Sequence, residues 1–315
     1  MKTILITGGS GFLCRNIALQ LKKNYNVILG SRNNKQNFIA SKITGCPSLP
    51  LDVSNIESVR DIIKESKPHI IIHAAATKFV DLSEKYPNET IDINITGSQN
   101  VARVSMENNV EYVLGISTDK ACPPIRNIYG LSKATMERLF CLLNKKTNTQ
   151  FASVRYGNVA WSTGSVLPIW KKMHDETGII QTTGPDMRRF FFSVQDAVDL
   201  VTAAIEYKDL IQGQILSRVM KSAKIQDILD TWIKHFGGKW EKIKGRPGER
   251  DDEFLVGETE LPYCQTLILN NIEHFLISPN TKTDIPFPNI FTSKEADRLT
   301  EEEIIKILNS SPDIL

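Results

Sequence analysis

Short apolar runs alternate with helical patterns along the first half of this 315-residue chain. The runs are continuously apolar, as in HIIIHAA at residues 69–75, which is typical of strands buried on both faces of a sheet. Strands that alternate with helices build βαβ units, so we predict an α/β fold with a doubly wound parallel sheet. The predicted strands are Thr3–Thr7, Asn26–Gly30, Ser48–Asp52, His69–Ala74, Tyr112–Ser117 and Gln150–Arg155, and the predicted helices are Asn16–Lys23, Ile56–Ser66, Asn88–Asn108 and Asn127–Leu143.

A glycine-rich loop, TGGSG at residues 7–11, follows the first predicted strand and opens a helix. Gly8 permits a tight turn, and Gly11 permits the backbone to approach a pyrophosphate at the positive end of the helix dipole. Cys14 stands where a third glycine is expected. That glycine packs the helix against the sheet rather than touching phosphate, so we interpret the small thiol as a packing substitution. The loop predicts a Rossmann dinucleotide site.

The residues at the end of the second predicted strand distinguish between two cofactors. They read LGSRNNK, with Ser31 and Arg32 but no carboxylate. An NAD site usually has Asp or Glu here for the ribose 2′-hydroxyl, whereas an arginine suits a 2′-phosphate. We therefore predict NADP, with NAD as the less favoured alternative.

The pattern of segments changes after about Tyr156, where Pro and Gly become frequent. We predict that residues 1–165 form the NADP-binding Rossmann domain and that residues 190–215 return to it. Residues 166–189 and 216–315 are predicted to form a smaller substrate-binding region. A short C-terminal helix is predicted to start at Ser293–Glu295.

Two further segments carry candidate chemistry. Tyr129 and Lys133 are spaced i, i+4 on a predicted helix, which places them on one face. We expect the ammonium to lower the pKa of Tyr129 from about 10, so that it can exchange a proton with a carbinol during hydride transfer. Asp119 and Lys120 end a predicted strand, at the edge where such sheets bind ligands. This second acid and base indicates a proton transfer beyond that of a simple reductase.

Five sequence blocks resemble, in order, those of the inverting UDP-N-acetylglucosamine 4,6-dehydratases, an extended short-chain dehydrogenase/reductase family. The resemblance implies conversion of a UDP-N-acetylhexosamine, with UDP-N-acetylglucosamine the best match, to a 4-keto-6-deoxy product with inversion at C5 for surface-glycan biosynthesis. It also implies a homo-oligomer. The blocks are HAAATKFVDLSEKYPNETIDINITGSQNV, STDKACPPIRNIYGLSK, VRYGNVAWSTGSVLP, TTGPDMRRFF and GRPGERDDEFLV.

The resemblance implies a role for each matching residue. Thr118 would hydrogen-bond the C4 oxygen of the sugar, Tyr129 would be the base for C4 oxidation, and Lys133 would bind the nicotinamide ribose. Asp119 would protonate the departing C6 hydroxyl, and Lys120 would remove the C5 proton and return one to the opposite face. The expected cofactor-binding residues are Gly8, Ser10, Gly11, Phe12, Leu13, Ser31, Arg32, Asp52, Val53, Ala74, Ala75, Ala76, Lys78, Asn94, Tyr129, Lys133, Tyr156 and Asn158. The expected substrate-binding residues are Lys78, Asn158, Val166, Thr183, Met187, Arg189, Arg246 and Glu249.

Two other functions stay open. A sugar-nucleotide 4-reductase or 4-epimerase of the same fold would need no C5 base, and a non-catalytic dinucleotide-binding scaffold would need no proton transfer. The chain departs from the family pattern at Cys14, where Gly is usual, and at Phe79, where His is frequent. His69 and His73 flank an apolar strand, and we interpret both as packing histidines.

Composition argues against several partners. The net charge of +2 favours neither nucleic acid nor a membrane surface. No apolar run reaches the roughly 18 residues of a membrane helix, and the residues before the glycines are too few for a signal peptide. We therefore predict a cytoplasmic protein. The five cysteines form no CxxC pair, so we predict reduced, buried thiols and no metal site.

Overall fold

The computed structural model describes residues 1–245 and 249–311. The strands are β1 (Thr3–Thr7), β2 (Asn26–Ser31), β3 (Ser48–Pro50), β4 (Ile70–His73), β5 (Tyr112–Ile116), β6 (Gln150–Arg155), β7 (Asn158–Val159), β8 (Ile179–Thr182), β9 (Arg188–Phe192), β10 (Ile215–Arg218), β11 (Ser222–Lys224), β12 (Lys239–Lys242), β13 (Phe254–Val256), β14 (Cys264–Leu269), β15 (Ile272–Ile277) and β16 (Phe291–Thr292). The α-helices are α1 (Phe12–Leu21), α2 (Asn34–Thr44), α3 (Ile56–Ser66), α4 (Val80–Lys85), α5 (Pro87–Thr90), α6 (Gly97–Glu107), α7 (Ile128–Leu143), α8 (Val166–Thr177), α9 (Val194–Glu206), α10 (Lys208–Ile211), α11 (Ile225–Phe236) and α12 (Glu301–Asn309). A π-helical segment spans Ile91–Thr96, and 3-10 segments span Asp119–Ala121 and Glu258–Tyr263.

One large sheet organises the fold, in the order β3-β2-β1-β4-β5-β6-β10-β15-β14. The strands from β3 to β10 pair in parallel, and β15 and β14 extend the sheet in antiparallel pairing. The predicted α/β class and doubly wound sheet are confirmed. In the described part of the chain, no helix is long and apolar enough to cross a lipid bilayer.

The alternating direction of side chains along β1 shows why its apolar run is continuous. Ile4 and Ile6 pack on one face of the sheet, against α1 and α9. Leu5 points to the opposite face and packs with residues of α3, α6 and α7. Because both faces are covered by helices, the three central positions of the strand are all apolar, whichever face they point to.

Several element bounds differ from the prediction. Helix α2 was not expected, because its sequence NKQNFIASKIT has weak amphipathic periodicity and leaves Phe38 exposed. The predicted helix Asn88–Asn108 is divided into α5, the π-helical segment and α6. The predicted start of the last helix at Ser293–Glu295 is wrong. Residues 293–295 form a turn, and α12 begins after Thr300, whose hydroxyl accepts a hydrogen bond from the Glu303 N–H in a capping box.

Smaller sheets flank the carboxyl edge of the large one. Strand β9 lies between β11 and β7, β12 pairs with β8, and β13 pairs with β16. Trp161, Trp170 and Trp232 share an apolar cluster with residues of α8, α11 and α12. These elements bring residues from the second half of the chain against the loops that follow β5 and β6. The proposed division into two domains stays a prediction.

Arg155, at the end of β6, is buried between two carboxylates. Its Nε and Nη2 atoms donate to Glu137 of α7 at 3.0 and 2.7 Å. Its Nη1 and Nη2 atoms donate to Glu260 at 2.9 and 2.8 Å. Nη1 also donates to the carbonyl of Leu255 at 3.1 Å. One guanidinium therefore joins α7, the sheet and the segment around β13.

We predict that Arg155→Met destabilises the protein strongly, because it leaves two carboxylates buried without their cation. Breaking a buried ion pair on one side costs about 3–5 kcal/mol. The free energy of unfolding in urea measures this loss. The control is Arg60→Met, which removes an exposed ion-pair cation and should have a far smaller effect. Equal losses in the two variants would contradict the prediction.

Candidate active site

A cavity of about 820 Å³ opens at the carboxyl ends of β1, β4, β5 and β6. Its volume is in the range of small-molecule and cofactor sites, and its position is where ligands bind in open parallel sheets. Most of the residues singled out in the sequence line it. They are Gly8, Ser10, Gly11, Phe12, Leu13, Ser31, Arg32, Val53, Ala74, Ala75, Ala76, Lys78, Thr118, Lys120, Tyr129, Lys133, Tyr156 and Asn158.

The glycine loop forms the floor of this cavity. Gly8 has a φ of 72°, and a Cβ there would lie 2.8 Å from the backbone nitrogen of Ala75. Gly11 is the N-cap of α1 and supplies no side-chain hydrogen bond to the helix. The first N–H groups of α1 are thus left for an anion. This cradle fits the pyrophosphate of a dinucleotide. Cys14 is buried in the core beside it, as the packing interpretation requires.

A buried network of polar side chains holds the glycine loop in place. The Thr7 hydroxyl accepts hydrogen bonds from the Ala74 and Ala75 N–H groups, each at 3.2 Å, and pairs with His73 Nδ1 at 2.9 Å. His73 Nε2 pairs with the Ser98 hydroxyl at 3.0 Å. Burial, aided by the charge of Lys133, lowers the pKa of His73 to about 3. The imidazole is neutral and serves the architecture of the site.

The end of β2 forms the opposite end of the cavity. The Ser31 hydroxyl lies 2.9 Å from the Ser10 hydroxyl and 2.5 Å from Asn37 Oδ1. Arg32 lines the cavity beside Ser31 and is exposed. Its guanidinium is therefore free to turn toward a ligand at this end.

Thr118, Tyr129 and Lys133 line the cavity. A hydrogen bond joins Thr118 with Tyr129, whereas Lys133 Nζ lies 3.7 Å from the Met136 sulfur. Burial raises the pKa of Tyr129, while the Lys120 charge and a hydrogen bond with Thr118 oppose that rise. Burial lowers the pKa of Lys133 to about 8, against the charges of Glu137 and Cys14. The expectation that Lys133 lowers the pKa of Tyr129 is wrong in this structure. The burial of the phenol dominates, and the opposing ammonium is that of Lys120.

Asp119 and Lys120 form an ion pair at the wall of the cavity. Asp119 is fully buried, and its Oδ1 accepts from the Thr118 hydroxyl at 2.9 Å and from Lys120 Nζ at 3.0 Å. Its Oδ2 is buried without a hydrogen-bond partner among the described residues. Burial lowers the pKa of Lys120, but the Asp119 and Glu253 carboxylates outweigh it, so the pKa is raised. Lys120 is an ammonium here.

Two expected cofactor residues do not line the cavity. Asp52 accepts hydrogen bonds from the N–H and hydroxyl of Ser54, so its carboxylate stabilises the turn before α3. Asn94 is buried, where its amide oxygen accepts from the Thr77 N–H, and its amide nitrogen donates to the Thr77 carbonyl and to the Ser132 hydroxyl, each at 2.9 Å. Ser132 in turn donates to the Tyr129 carbonyl at 2.7 Å. Asn94 therefore links the β4 loop to α7.

Of the expected substrate residues, Lys78 and Asn158 line the cavity, whereas Val166, Thr183, Met187, Arg189 and Glu249 are not part of its lining. The Thr183 hydroxyl donates to Glu249 at 2.8 Å. Arg189 Nη2 lies 3.0 Å from the Met187 sulfur. Val166 is the first residue of α8. Arg246 lies outside the described residues.

The structure adds one buried carboxylate that the sequence analysis did not single out. Glu253 Oε1 lies 3.5 Å from Lys120 Nζ and 3.9 Å from Arg189 Nε. Glu253 belongs to the GRPGERDDEFLV block, but only the fold shows that it reaches a residue more than a hundred positions earlier. It connects the Lys120 ammonium with the Arg189 group.

Comparison with known proteins places the chain among nucleotide-sugar enzymes. The polysaccharide biosynthesis protein family matches residues 4–269. The chain belongs to this family. An inverting UDP-N-acetylglucosamine 4,6-dehydratase of Campylobacter jejuni is 31% identical over 89% of this chain and 84% of its own length. A UDP-glucose 4-epimerase of Rickettsia bellii is 33% identical over 98% of this chain and 95% of its own. The resemblance found in the sequence is confirmed.

Solved structures of other proteins share the fold. Pen from Bacillus thuringiensis superposes with a TM-score of 0.88 at 28% identity, over 98% of this chain and 97% of its own. The UDP-glucose 4-epimerase of Thermus thermophilus, solved in complex with NAD, gives a TM-score of 0.72 at 20% identity, over 79% of this chain and 88% of its own. At that identity the second match bears on the fold of this family member and not on its ligand.

We predict that Gly8→Ala lowers the affinity for the dinucleotide by at least about tenfold, equivalent to ~1.4 kcal/mol. The added Cβ meets the Ala75 backbone and must displace the loop. Gly178→Ala is the matched control, since Gly178 also has a positive φ, of 67°, but has nothing within 4 Å of its added Cβ. Calorimetric titration of both variants with the dinucleotide measures the effect. Unchanged affinity in Gly8→Ala would refute this account of the loop.

Proposed function

We propose that this protein is an NADP-dependent UDP-N-acetylhexosamine 4,6-dehydratase that inverts C5, with UDP-N-acetylglucosamine as its substrate. The observation that carries the proposal is the Thr118–Asp119–Lys120 turn, which lies beside Tyr129 and Lys133 at one cavity. The C. jejuni relative named as an inverting dehydratase supports it. The product would serve polysaccharide biosynthesis, in line with the family description.

The first step would be oxidation at C4. The dinucleotide supplies reversible hydride acceptance when bound. Thr118 would hydrogen-bond the C4 oxygen, and Tyr129 would take the C4 hydroxyl proton in its phenolate form, which burial opposes and the Thr118 hydrogen bond favours. Lys120 would favour this transfer, since its positive charge already opposes the rise in the pKa of Tyr129. Lys133 would bind the nicotinamide ribose from the same face of α7.

The second step would be elimination of water across C5 and C6. The 3.0 Å hydrogen bond between Lys120 Nζ and Asp119 Oδ1 lets one proton pass from the ammonium to the carboxylate. That transfer creates a neutral amine base and a carboxylic acid from a buried ion pair. Lys120 would then remove the C5 proton, made acidic by the C4 ketone, while Asp119 protonates the departing C6 hydroxyl. Lys120 gains the C5 proton and Asp119 loses one to water, so the pair is again an ammonium and a carboxylate at the end of this step. The C4 proton stays on Tyr129 and would pass to Lys120 once Lys120 has protonated C5, which balances the protons over the whole reaction.

The third step would complete the product. Lys120 would return a proton to C5 from the opposite face of the sugar as hydride returns to C6, so the net redox change is zero.

In the expected substrate group, Arg189 would bind the diphosphate, because a guanidinium fork pairs well with phosphate oxygens.

A 4-epimerase is the second candidate. The R. bellii relative that carries this name favours it, and epimerisation needs the same Thr118, Tyr129 and Lys133. It has no use for Asp119 as an acid or for Lys120 as a base at C5. The presence of complete proton-transfer residues also favours an enzyme over a non-catalytic scaffold.

We predict that the protein, incubated with UDP-N-acetylglucosamine in heavy water, forms a 4-keto-6-deoxy product with deuterium at C5, as seen by NMR. Lys120→Met should slow product formation by about 10²–10⁴-fold, the usual contribution of a general base, and still permit C4 oxidation. Tyr129→Phe is the control that impairs every candidate reaction. If the protein is an epimerase, Lys120→Met will lose only the effect of its charge on Tyr129, far less than about 10²-fold, and no C5 deuterium will appear.

We also predict that Arg32→Ala selectively weakens NADP binding. A charge-assisted hydrogen bond contributes about 1.5–3 kcal/mol, so the NADP dissociation constant should rise roughly ten- to a hundredfold while that of NAD changes little. Lys35→Ala, which removes a nearby exposed cation from α2, is the control. Equal affinity losses for both dinucleotides would mean that Arg32 does not contact a 2′-phosphate.

A further inference from the structure

The ammonium of Lys120 lies between two carboxylates that come from distant parts of the chain. Asp119 is its neighbour in the 3-10 segment, and the Asp119 Oδ1 to Lys120 Nζ distance is 3.0 Å. Glu253 approaches from the segment before β13, with Oε1 at 3.5 Å. The proposed function gives the first carboxylate the role of an acid. It leaves the second without a role.

Glu253 is held firmly in place. Its N–H donates to the Ser293 hydroxyl at 3.0 Å, and its carbonyl accepts from the Ser293 N–H at 2.8 Å. Three residues earlier, Arg250 Nη2 donates to the carbonyl of Pro124, directly beyond the 3-10 segment. Two residues later, the Leu255 carbonyl accepts from Arg155. The segment 250–255 is therefore fastened against the turn that carries Lys120, which brings Glu253 Oε1 within 3.5 Å of Lys120 Nζ. The other carboxylate oxygen, Oε2, has no hydrogen-bond partner among the described residues.

Glu253 is buried among cationic groups. It faces Lys120 of the 3-10 segment at 3.5 Å, Arg189 of β9 at 3.9 Å and Arg250 of its own segment at 4.0 Å. Lys120 itself faces Asp119, Glu253, Arg189 and the Tyr129 phenol. The Glu253 carboxylate therefore lies where it can attract the Lys120 ammonium.

We propose that Glu253 is the positioning residue for the C5 base: it holds Lys120 Nζ at the cavity wall and stabilises the ammonium that forms when Lys120 takes the C5 proton. The inference rests on the proposed function. Because Lys120 is an ammonium both before and after this step, the contribution of Glu253 comes from the position in which it holds Nζ. C4 oxidation uses Tyr129, which Glu253 reaches only through the charge of Lys120. Loss of Glu253 should therefore slow the C5 step far more than C4 oxidation.

The first test measures the Lys120 amine directly and needs no substrate. Acetic anhydride acetylates only the neutral amine, and peptide mapping by mass spectrometry reports Lys120, which lines the cavity. At one pH below the midpoint of the Lys120 titration, Lys120 of the Glu253→Gln variant should be acetylated about three- to tenfold faster than Lys120 of the wild type. The reason is that its ammonium form has lost a stabilising negative charge. Glu253→Asp should return the rate toward that of the wild type. Exposed Lys172 in the same sample is the internal reference.

The second test separates the two steps. Glu253→Gln should slow dehydration of UDP-N-acetylglucosamine and C5 deuterium uptake about 10–100-fold. The rate of C4 oxidation should change less than about threefold, as measured by nicotinamide absorbance in a single turnover. Asp252→Asn is the matched control, because Asp252 pairs with Arg188 at 3.3 Å instead. Circular dichroism establishes that each variant is folded.

The outcomes decide the inference in either direction. Faster Lys120 acetylation in Glu253→Gln, with a selective loss of the C5 step, supports it. Acetylation and rates equal to those of Asp252→Asn overturn it, and so does a loss of C4 oxidation as large as the loss of dehydration. If the wild type forms no dehydration product, the proposed function fails. In that case the acetylation rates still show whether Glu253 controls the charge of Lys120.

Discussion

Burial of the main sheet on both faces is the constraint on which the site depends. Ile4, Leu5 and Ile6 pack alternately toward helices on opposite sides, which leaves no room in the strands for a polar group that needs water or substrate. Polar chemistry is therefore confined to the residues that follow the strands. The glycine loop after β1, the Lys78 segment after β4 and the Asp119–Lys120 turn after β5 meet at one edge for this reason.

Neutral polar side chains hold the loops at that edge of the sheet in place. Thr7, His73 and Ser98 connect the glycine loop with α6, while Asn94 and Ser132 connect the β4 loop with the residue that carries the phenol. Neutral groups suit this task because a charge beneath Lys133 would alter its protonation. The low pKa of His73 ensures that these side chains stay uncharged at neutral pH.

Sequence reasoning worked best where a local pattern reports a local requirement. Continuous apolar runs located the strands, and the glycine spacing located the phosphate cradle. It was weaker where a property depends on distant atoms. The pKa of Tyr129 follows from its burial rather than from the i, i+4 spacing of Lys133. Asp52 ends a strand, yet a hydrogen bond with Ser54 draws its side chain into a turn. Glu253 reaches Lys120 only because β13 packs near the 3-10 segment, and no spacing in the sequence records that approach.

The order of strands in the main sheet has a consequence for how this chain can be divided. Strands β10, β15 and β14 come from the second half of the sequence, yet they continue the sheet beyond β6. A fragment ending near residue 165 would expose the hydrogen-bonding edge of β6, a strand that is buried and is normally paired with β10 on that side. Such bare edges invite pairing between copies. The first half of the sheet therefore depends on strands that the chain supplies last to cover this edge.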